Sequence, residues 1–336
     1  MKDAGTPVMA CGVCVAPGTF EVQPRPCPEA APEGWLLVDI AAIGICGTDY
    51  HIFAGKHPFL DYPRVIGHEL SGHIASGPRR GELVVVNPYL SCGTCRACRR
   101  GKPNCCSRIE VLGVHRDGGM CARIAVPEGN LYPAEGLSPE QAAMVEFLAI
   151  GAHAVARSGI GAGDLVLVTG AGPIGLGTAI FARLAGAEVH LMDLSPQRLD
   201  LARRLCGFER LHLAGTDVLT GDLAEGFDAV FDATGSAKAI EAGFPLLAHG
   251  GTAVLVSVVK DDIRFSDAEF HKREARIIGS RNALRADFDA VMTAVRAGQV
   301  PTEALVSGRV PLAELPERFA ALADSRDDIV KILVTP

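Results

Sequence analysis

Five cysteines inside one short segment, CGTCRACRRGKPNCC, constrain this chain more than any other feature. The segment is polar and has no core of its own, so something other than apolar burial must fold it. Thiolates closing tetrahedrally on one zinc at about 2.3 Å would do so and would shut water out of the centre. Cys92, Cys95 and Cys98 supply three of them, and the adjacent Cys105 and Cys106 compete for the fourth place. A second group is dispersed: Cys46 in CGTD, His68-Glu69 in GHE, and Glu146 in VEFLAIGAHAV. A mixed set gathered from distant segments is how a zinc is left with an open coordination position for chemistry. Taken singly, Cys46 reads as a small buried hydrophobe and His68 as a core histidine. Glu146 differs, because it opens an apolar helix where an unpaired charge is costly.

The 336 residues suffice for two domains, each with its own core. With 48% hydrophobic and 21% charged residues the chain is not disordered. A net charge of −7 without a long basic run argues against a nucleic-acid partner. No apolar run approaches the length of a membrane span, and the N-terminal stretch lacks an export-signal pattern, so a cytoplasmic location is expected. In a reducing compartment the 11 cysteines favour metal ligation over disulfides. Cys11 and Cys14 form a further CxxC within an expected strand from Met9 to Val15, and their role stays open.

The pattern along the chain changes near residue 150. Before it, short β-runs such as WLLVDIAAIG and ELVVVNP alternate with Gly and Pro, which predicts an antiparallel, partly closed β-domain. After it, strands apolar on both faces alternate with helices, which predicts a doubly wound parallel sheet and an α/β fold. The tail carries a helix over about Ala286 to Ala297 and a terminal strand, IVKILVT, expected to return to the first domain. GAGPIG, running from Gly170 to Gly175, follows an apolar strand and opens a helix. Gly170 would make the tight turn, Gly172 would let backbone approach a pyrophosphate, and Gly175 would let the helix pack on its strand. Pro173 and Ile174 begin that helix, whose unpaired N–H groups face an anion. Asp193, 18 residues beyond Gly175, ends the next strand and would accept the adenosine ribose hydroxyls. That charge favours NAD over NADP; Arg198 could neutralise Asp193 or lie over the adenine.

CGTDYH, GHE, the four-cysteine lobe, VEFLAIGAHAV, GAGPIG and the late SRNA together resemble the zinc-dependent medium-chain dehydrogenases. The resemblance covers essentially the whole chain and is greatest to the polyol and sugar-acid branch, with its sorbitol-type and L-galactonate or L-gulonate 5-dehydrogenases. It implies a GroES-like catalytic domain from residues 1–150 and 287–336, with the lobe at about 91–107. A Rossmann domain over 151–286 would be inserted between the two parts. It implies two zinc ions per chain, one structural and one catalytic, with NAD as cofactor. The family's lobe spacing selects Cys106. Cys46 and His68 would ligate the catalytic zinc, with Glu69 and Glu146 binding directly or through water. Asp49 would accept the second ring N–H of His68. Thr48 would take the alcohol proton and His51 would pass it to solvent. The implied reaction forms a zinc-bound alkoxide and passes a hydride to NAD.

This chain departs from the family in two places. The segment GHIASGPRRGELVVVNP is shorter than usual, and Phe147 stands where a proline usually follows the ligand glutamate. LDYPRVIGHE, VLGVHRDGG and SRNA look like the sugar-acid branch, and the substrate expected is a sugar acid or polyol. Lys56, His57, Arg116 and Lys272 are the candidate cations for a sugar-acid carboxylate. A polyol (sorbitol-type) or general secondary-alcohol dehydrogenase is the alternative. A non-catalytic, NAD-binding regulatory protein is the reading from a different class. A homodimer or homotetramer is the family's expectation.

Overall fold

The computed structural model describes residues 7–57, 60–325 and 327–336. Residues 1–6, part of the stretch read for an export signal, lie outside them. The chain divides into two compact units, Met1–Glu146 with Met292–Pro336, and Phe147–Val291. The cuts fall within the helices Val145–Ser158 and Arg285–Arg296, not at the expected 150/151 and 286/287. A helix backbone runs through such a boundary without interruption, so a change of sequence pattern cannot place the cut inside it. No helix among the described residues is long and apolar enough to cross a membrane.

In the first unit Val8–Ala16 belongs to a separate three-stranded sheet with Thr19–Pro26 and Arg64–Val65, and the largest sheet is organised about the strand Trp35–Ile45. Its first half pairs antiparallel with Arg123–Pro127, and its last residues pair antiparallel with the terminal strand Lys331–Thr335. Glu69–Ile74 lies along its other edge, with Gly44 opposite Glu69. From there the sheet runs out through Leu83–Val86 to Leu131–Pro133, and beyond the terminal strand it reaches Val306–Pro311. The shortened GHE-to-lobe connection is therefore one tight hairpin, in which His73 faces Leu83. Alternating residues such as Val38, Ile40, Leu70, Val84 and Val126 turn to one buried core. The helix Leu315–Asp324 covers part of this core with Phe319, which stacks on Phe20 at 4.7 Å and leans on Tyr50 and Phe53.

The second unit is a six-stranded parallel sheet. Its order is Leu211–Leu213, Glu188–Asp193, Leu165–Thr169, Phe227–Asp232, Leu247–Leu255, Arg276–Gly279. Taken along the chain that is third, second, first, fourth, fifth, sixth, the doubly wound order whose reversal point lies beside the first strand. Val166, Leu167, Val168, Ala229 and Phe231 are all buried, as strands covered on both faces must be.

Phe319 is fully buried among three aromatic rings of its own unit. Phe319→Ala should therefore lower unfolding stability by about 3–5 kcal/mol. Urea denaturation followed by circular dichroism checks this, and an unchanged midpoint would contradict the packing described.

Candidate active site

The cysteine lobe folds around its own sulfurs. Cys92, Cys95, Cys98 and Cys106 bring their Sγ atoms within 4.8 Å of one another, and none is in a disulfide. Cys105 is exposed outside this group, whereas Cys106 is buried. Backbone N–H groups point at the sulfurs. Cys92 N donates to Cys106 Sγ, Cys95 N to Cys92 Sγ and Arg108 N to Cys106 Sγ, each at 3.3 Å. The Arg108 guanidinium donates to Cys92 Sγ at 3.4 Å and brings that thiol down to about 5; the Cys98 backbone N–H brings Cys95 to about 6. Four unpaired sulfurs crowded together and supplied with donors suit a tetrahedral thiolate site for zinc.

The dispersed residues converge at one end of the central strand. Cys46 follows that strand and caps the short helix Gly47–Phe53. Buried Asp49, on the helix's first turn, accepts from Cys46 N at 2.9 Å and from Gly67 N at 3.3 Å. It thereby ties the Cys46 turn to the loop that delivers His68. Asp49 Oδ1 is 3.8 Å from His68 Nδ1, beyond hydrogen-bond reach, so the expected ring N–H bond is an electrostatic contact here. That buried Nδ1 makes no hydrogen bond. Ligand atoms of Cys46, His68 and Glu69 lie within 4.8 Å of one another, a donor set that fits zinc.

The two carboxylates are held differently. Both oxygens of Glu69 accept from Lys331 Nζ, at 2.7 and 2.6 Å, and the same ammonium donates to Ile45 O at 3.2 Å. A Cβ on Gly44 would overlap the Glu69 carboxylate, so only glycine leaves it room. Burial opposes the charge of Lys331, but Glu69 and Cys46 outweigh it and hold the ammonium above the usual lysine range. Glu146 stands outside the close group and accepts a short hydrogen bond from Tyr89 Oη. Burial pushes its carboxyl up to about 7. Phe147, beside it, is buried.

Thr48 is half-buried and His51 exposed, both on the Gly47–Phe53 helix. Of the candidate cations, Lys56 and Lys272 are exposed and His57 is half-buried. Arg116 pairs with Glu110 at 3.3 Å and lies over the Trp35 ring, so its charge is already answered.

In the second unit, Gly170 has φ of +91°, the left-handed turn that glycine permits, and follows the strand Leu165–Thr169. Gly172 caps the helix Pro173–Leu184, which begins with Pro173 and Ile174. A Cβ on Gly175 would overlap the Gly170 carbonyl, so the helix can approach its strand only with glycine there. Asp193 is fixed by the amides of Ala171 and Ser195, at 2.7 and 2.8 Å. Arg198 lies 4.0 Å from it, as an ion pair.

Sequence reasoning missed Lys331 and Tyr89. Lys331 did leave a signal, the lone charge in the apolar run IVKILVT. Tyr89 left none. Lys331→Met should strand a buried carboxylate and lower unfolding stability by about 3–5 kcal/mol, with Glu69→Gln added in the double variant recovering part of the loss. Guanidinium melts of the single and the double variant check this; a double variant no better than Lys331→Met would refute the coupling.

Residues 32–136 match the alcohol dehydrogenase GroES-like domain, and residues 173–297 match the zinc-binding dehydrogenase domain. The chain is 41% identical over 318 residues to the L-galactonate-5-dehydrogenase of Escherichia coli strain K12, covering 89% of this chain and 91% of that protein. It is 35% identical over 297 residues to the D-altritol 5-dehydrogenase of Agrobacterium fabrum, covering 84% and 87%. An alcohol dehydrogenase of Escherichia coli CFT073, solved in complex with NADH, has a TM-score of 0.91 at 28% identity, covering 99% of this chain and 100% of that one. The chain belongs to the zinc-binding dehydrogenases built on an alcohol dehydrogenase GroES-like domain, nicotinamide-dependent enzymes that oxidise alcohol hydroxyls.

Proposed function

We propose that this enzyme oxidises a secondary hydroxyl of a sugar acid of the L-galactonate or L-gulonate type, with NAD as hydride acceptor. The observation that carries the substrate class is the 41% identity, over nearly the whole chain, to an L-galactonate-5-dehydrogenase. The D-altritol 5-dehydrogenase relative favours a polyol as the second reading. In this reading the unit formed by both chain ends carries the chemistry and two zinc sites, and the Phe147–Val291 unit carries the dinucleotide.

Bound zinc lowers the pKa of a coordinated hydroxyl, and the dinucleotide takes up a hydride. The chain's own residues set the conditions. Cys46, His68 and Glu69 are the donors within ligand range, and Glu146, held by Tyr89, is the carboxylate that would complete the set. Lys331 neutralises Glu69, so Cys46 supplies the main uncompensated negative charge among those three. A less anionic donor set leaves more of the metal's charge for acidifying the substrate hydroxyl. Asp49 holds Cys46 and the Gly67 turn in place, so both donors keep their positions. Thr48 would accept the substrate hydroxyl's proton while giving up its own, and exposed His51 would release a proton to water. Asp193 accepts the ribose hydroxyls, and its charge disfavours a 2′-phosphate. Cys92, Cys95, Cys98 and Cys106 hold the second zinc and perform no chemistry.

The purified enzyme should reduce NAD with L-galactonate or L-gulonate at a kcat/KM at least tenfold above that with sorbitol or simple secondary alcohols. A panel assayed by NADH absorbance tests this, and turnover of simple alcohols alone would discard the sugar-acid reading. Zinc content by atomic emission should fall by about one ion per chain in Cys106→Ser and stay unchanged in Cys105→Ser. The reverse pattern would move the fourth lobe ligand to Cys105.

A further inference from the structure

The CxxC of Cys11 and Cys14 is not a pair. Both belong to the strand Val8–Ala16, and side chains three residues apart on a strand point to opposite faces. Burial pushes the Cys14 thiol up to about 12, which leaves it inert at neutral pH. Cys11 has a different neighbour. It stands directly opposite Cys121 across an isolated antiparallel bridge, 110 residues further along the chain. Gly12 N donates to Met120 O at 2.7 Å, which makes Cys11 and Cys121 the narrow, non-hydrogen-bonded kind of pair. Such pairs hold their Cα atoms about 4.5 Å apart with both side chains on one face. A disulfide spans Cα separations of about 4.4–6.8 Å, so the backbone already has the spacing that a bridge needs. Both residues are 1% exposed, and both thiols are free.

We propose that Cys11 and Cys121 form a redox pair, closed to a disulfide by hydrogen peroxide and reopened by a thiol reductant. The Cys11 thiolate attacks the peroxide O–O bond, keeps one oxygen as sulfenic acid and releases the other as water. The Cys121 sulfur then displaces the sulfenic oxygen, which leaves as a second water. Two thiols lose two protons and two electrons, and one peroxide becomes two waters. Cys11 is suited to the first step. The Cys121 thiol beside it holds Cys11 below the usual cysteine value, while the Cys121 thiol, which donates to Arg123 O at 3.4 Å, is pushed upward by that neighbour and by burial.

The bond would matter because of what Cys121 follows. Gly118 N donates to Val65 O at 2.7 Å, Met120 N to Ile66 O at 3.0 Å and Gly119 N to Gly67 O at 2.9 Å. Val65, Ile66 and Gly67 are the residues immediately before His68. The Val8–Ala16 strand already pairs with Arg64–Val65, and oxidation would add a covalent tie between it and the segment that backs His68, without touching a metal ligand.

The test uses the zinc-loaded, full-length enzyme exposed to graded hydrogen peroxide, alkylated under denaturing conditions and mapped by mass spectrometry without reduction. A peptide pair linking Cys11 to Cys121, lighter by about two mass units than the two thiol peptides together, should appear before the lobe cysteines are oxidised. Dithiothreitol should abolish it, and Cys121→Ser should never yield it. If Cys11 and Cys121 in the native sequence both remain alkylatable once the lobe has oxidised, or if Cys11 is found bridged to another cysteine, the proposal fails. The decisive readout is on the native sequence, so it does not depend on how well the variant folds.

Discussion

The ion pair between Glu69 and Lys331 is the interaction on which the arrangement of the first unit turns. It joins the first residue of one strand to the first residue of the chain's last strand, across the strand that ends at Ile45, just before Cys46. Two charges removed from water cost several kcal/mol each, and their mutual attraction offsets that only with good geometry and further hydrogen bonds. Both conditions are met: the ammonium reaches both carboxylate oxygens and the Ile45 carbonyl. A pair this costly does little for net stability compared with apolar packing. It fixes a charge at one place, beside Cys46 and His68.

The two metal-binding groups illustrate two ways of building a centre. In the lobe the ligands are close in sequence, the backbone N–H groups converge on sulfur, and the surrounding segment has no buried residues of its own on its short helix Arg96–Arg99. There the metal would organise the chain. Around Cys46 the order is reversed. The sheet, the Asp49 carboxylate and the glycine at 44 organise the residues first, and a metal would enter a place already shaped. A preformed site of this kind can leave a coordination position open because the protein, not the metal, holds the ligands apart.

Much of the fold was legible in the sequence because it follows from local periodicity. Apolar runs buried on both faces and joined by helices allow little besides a parallel sheet. A glycine-rich turn between such a strand and a helix has few other uses. Gly170, Gly175 and Asp193 occupy their places for reasons of backbone geometry that a short window of residues contains. The unit boundaries were less legible, since they fall inside continuous helices.

The sequence by itself determined which side chains are available for metal chemistry, and that a dinucleotide turn follows them. Only the tertiary structure decided how those side chains are shared out. It drew Cys106 into the thiol group and left Cys105 in solvent. It set Lys331 on Glu69 and Tyr89 on Glu146, and it turned Cys11 away from Cys14 toward Cys121. The physical reason is the same in each case. Strand pairing between segments far apart in the chain fixes which faces meet, and no periodicity within one segment encodes its partner's register.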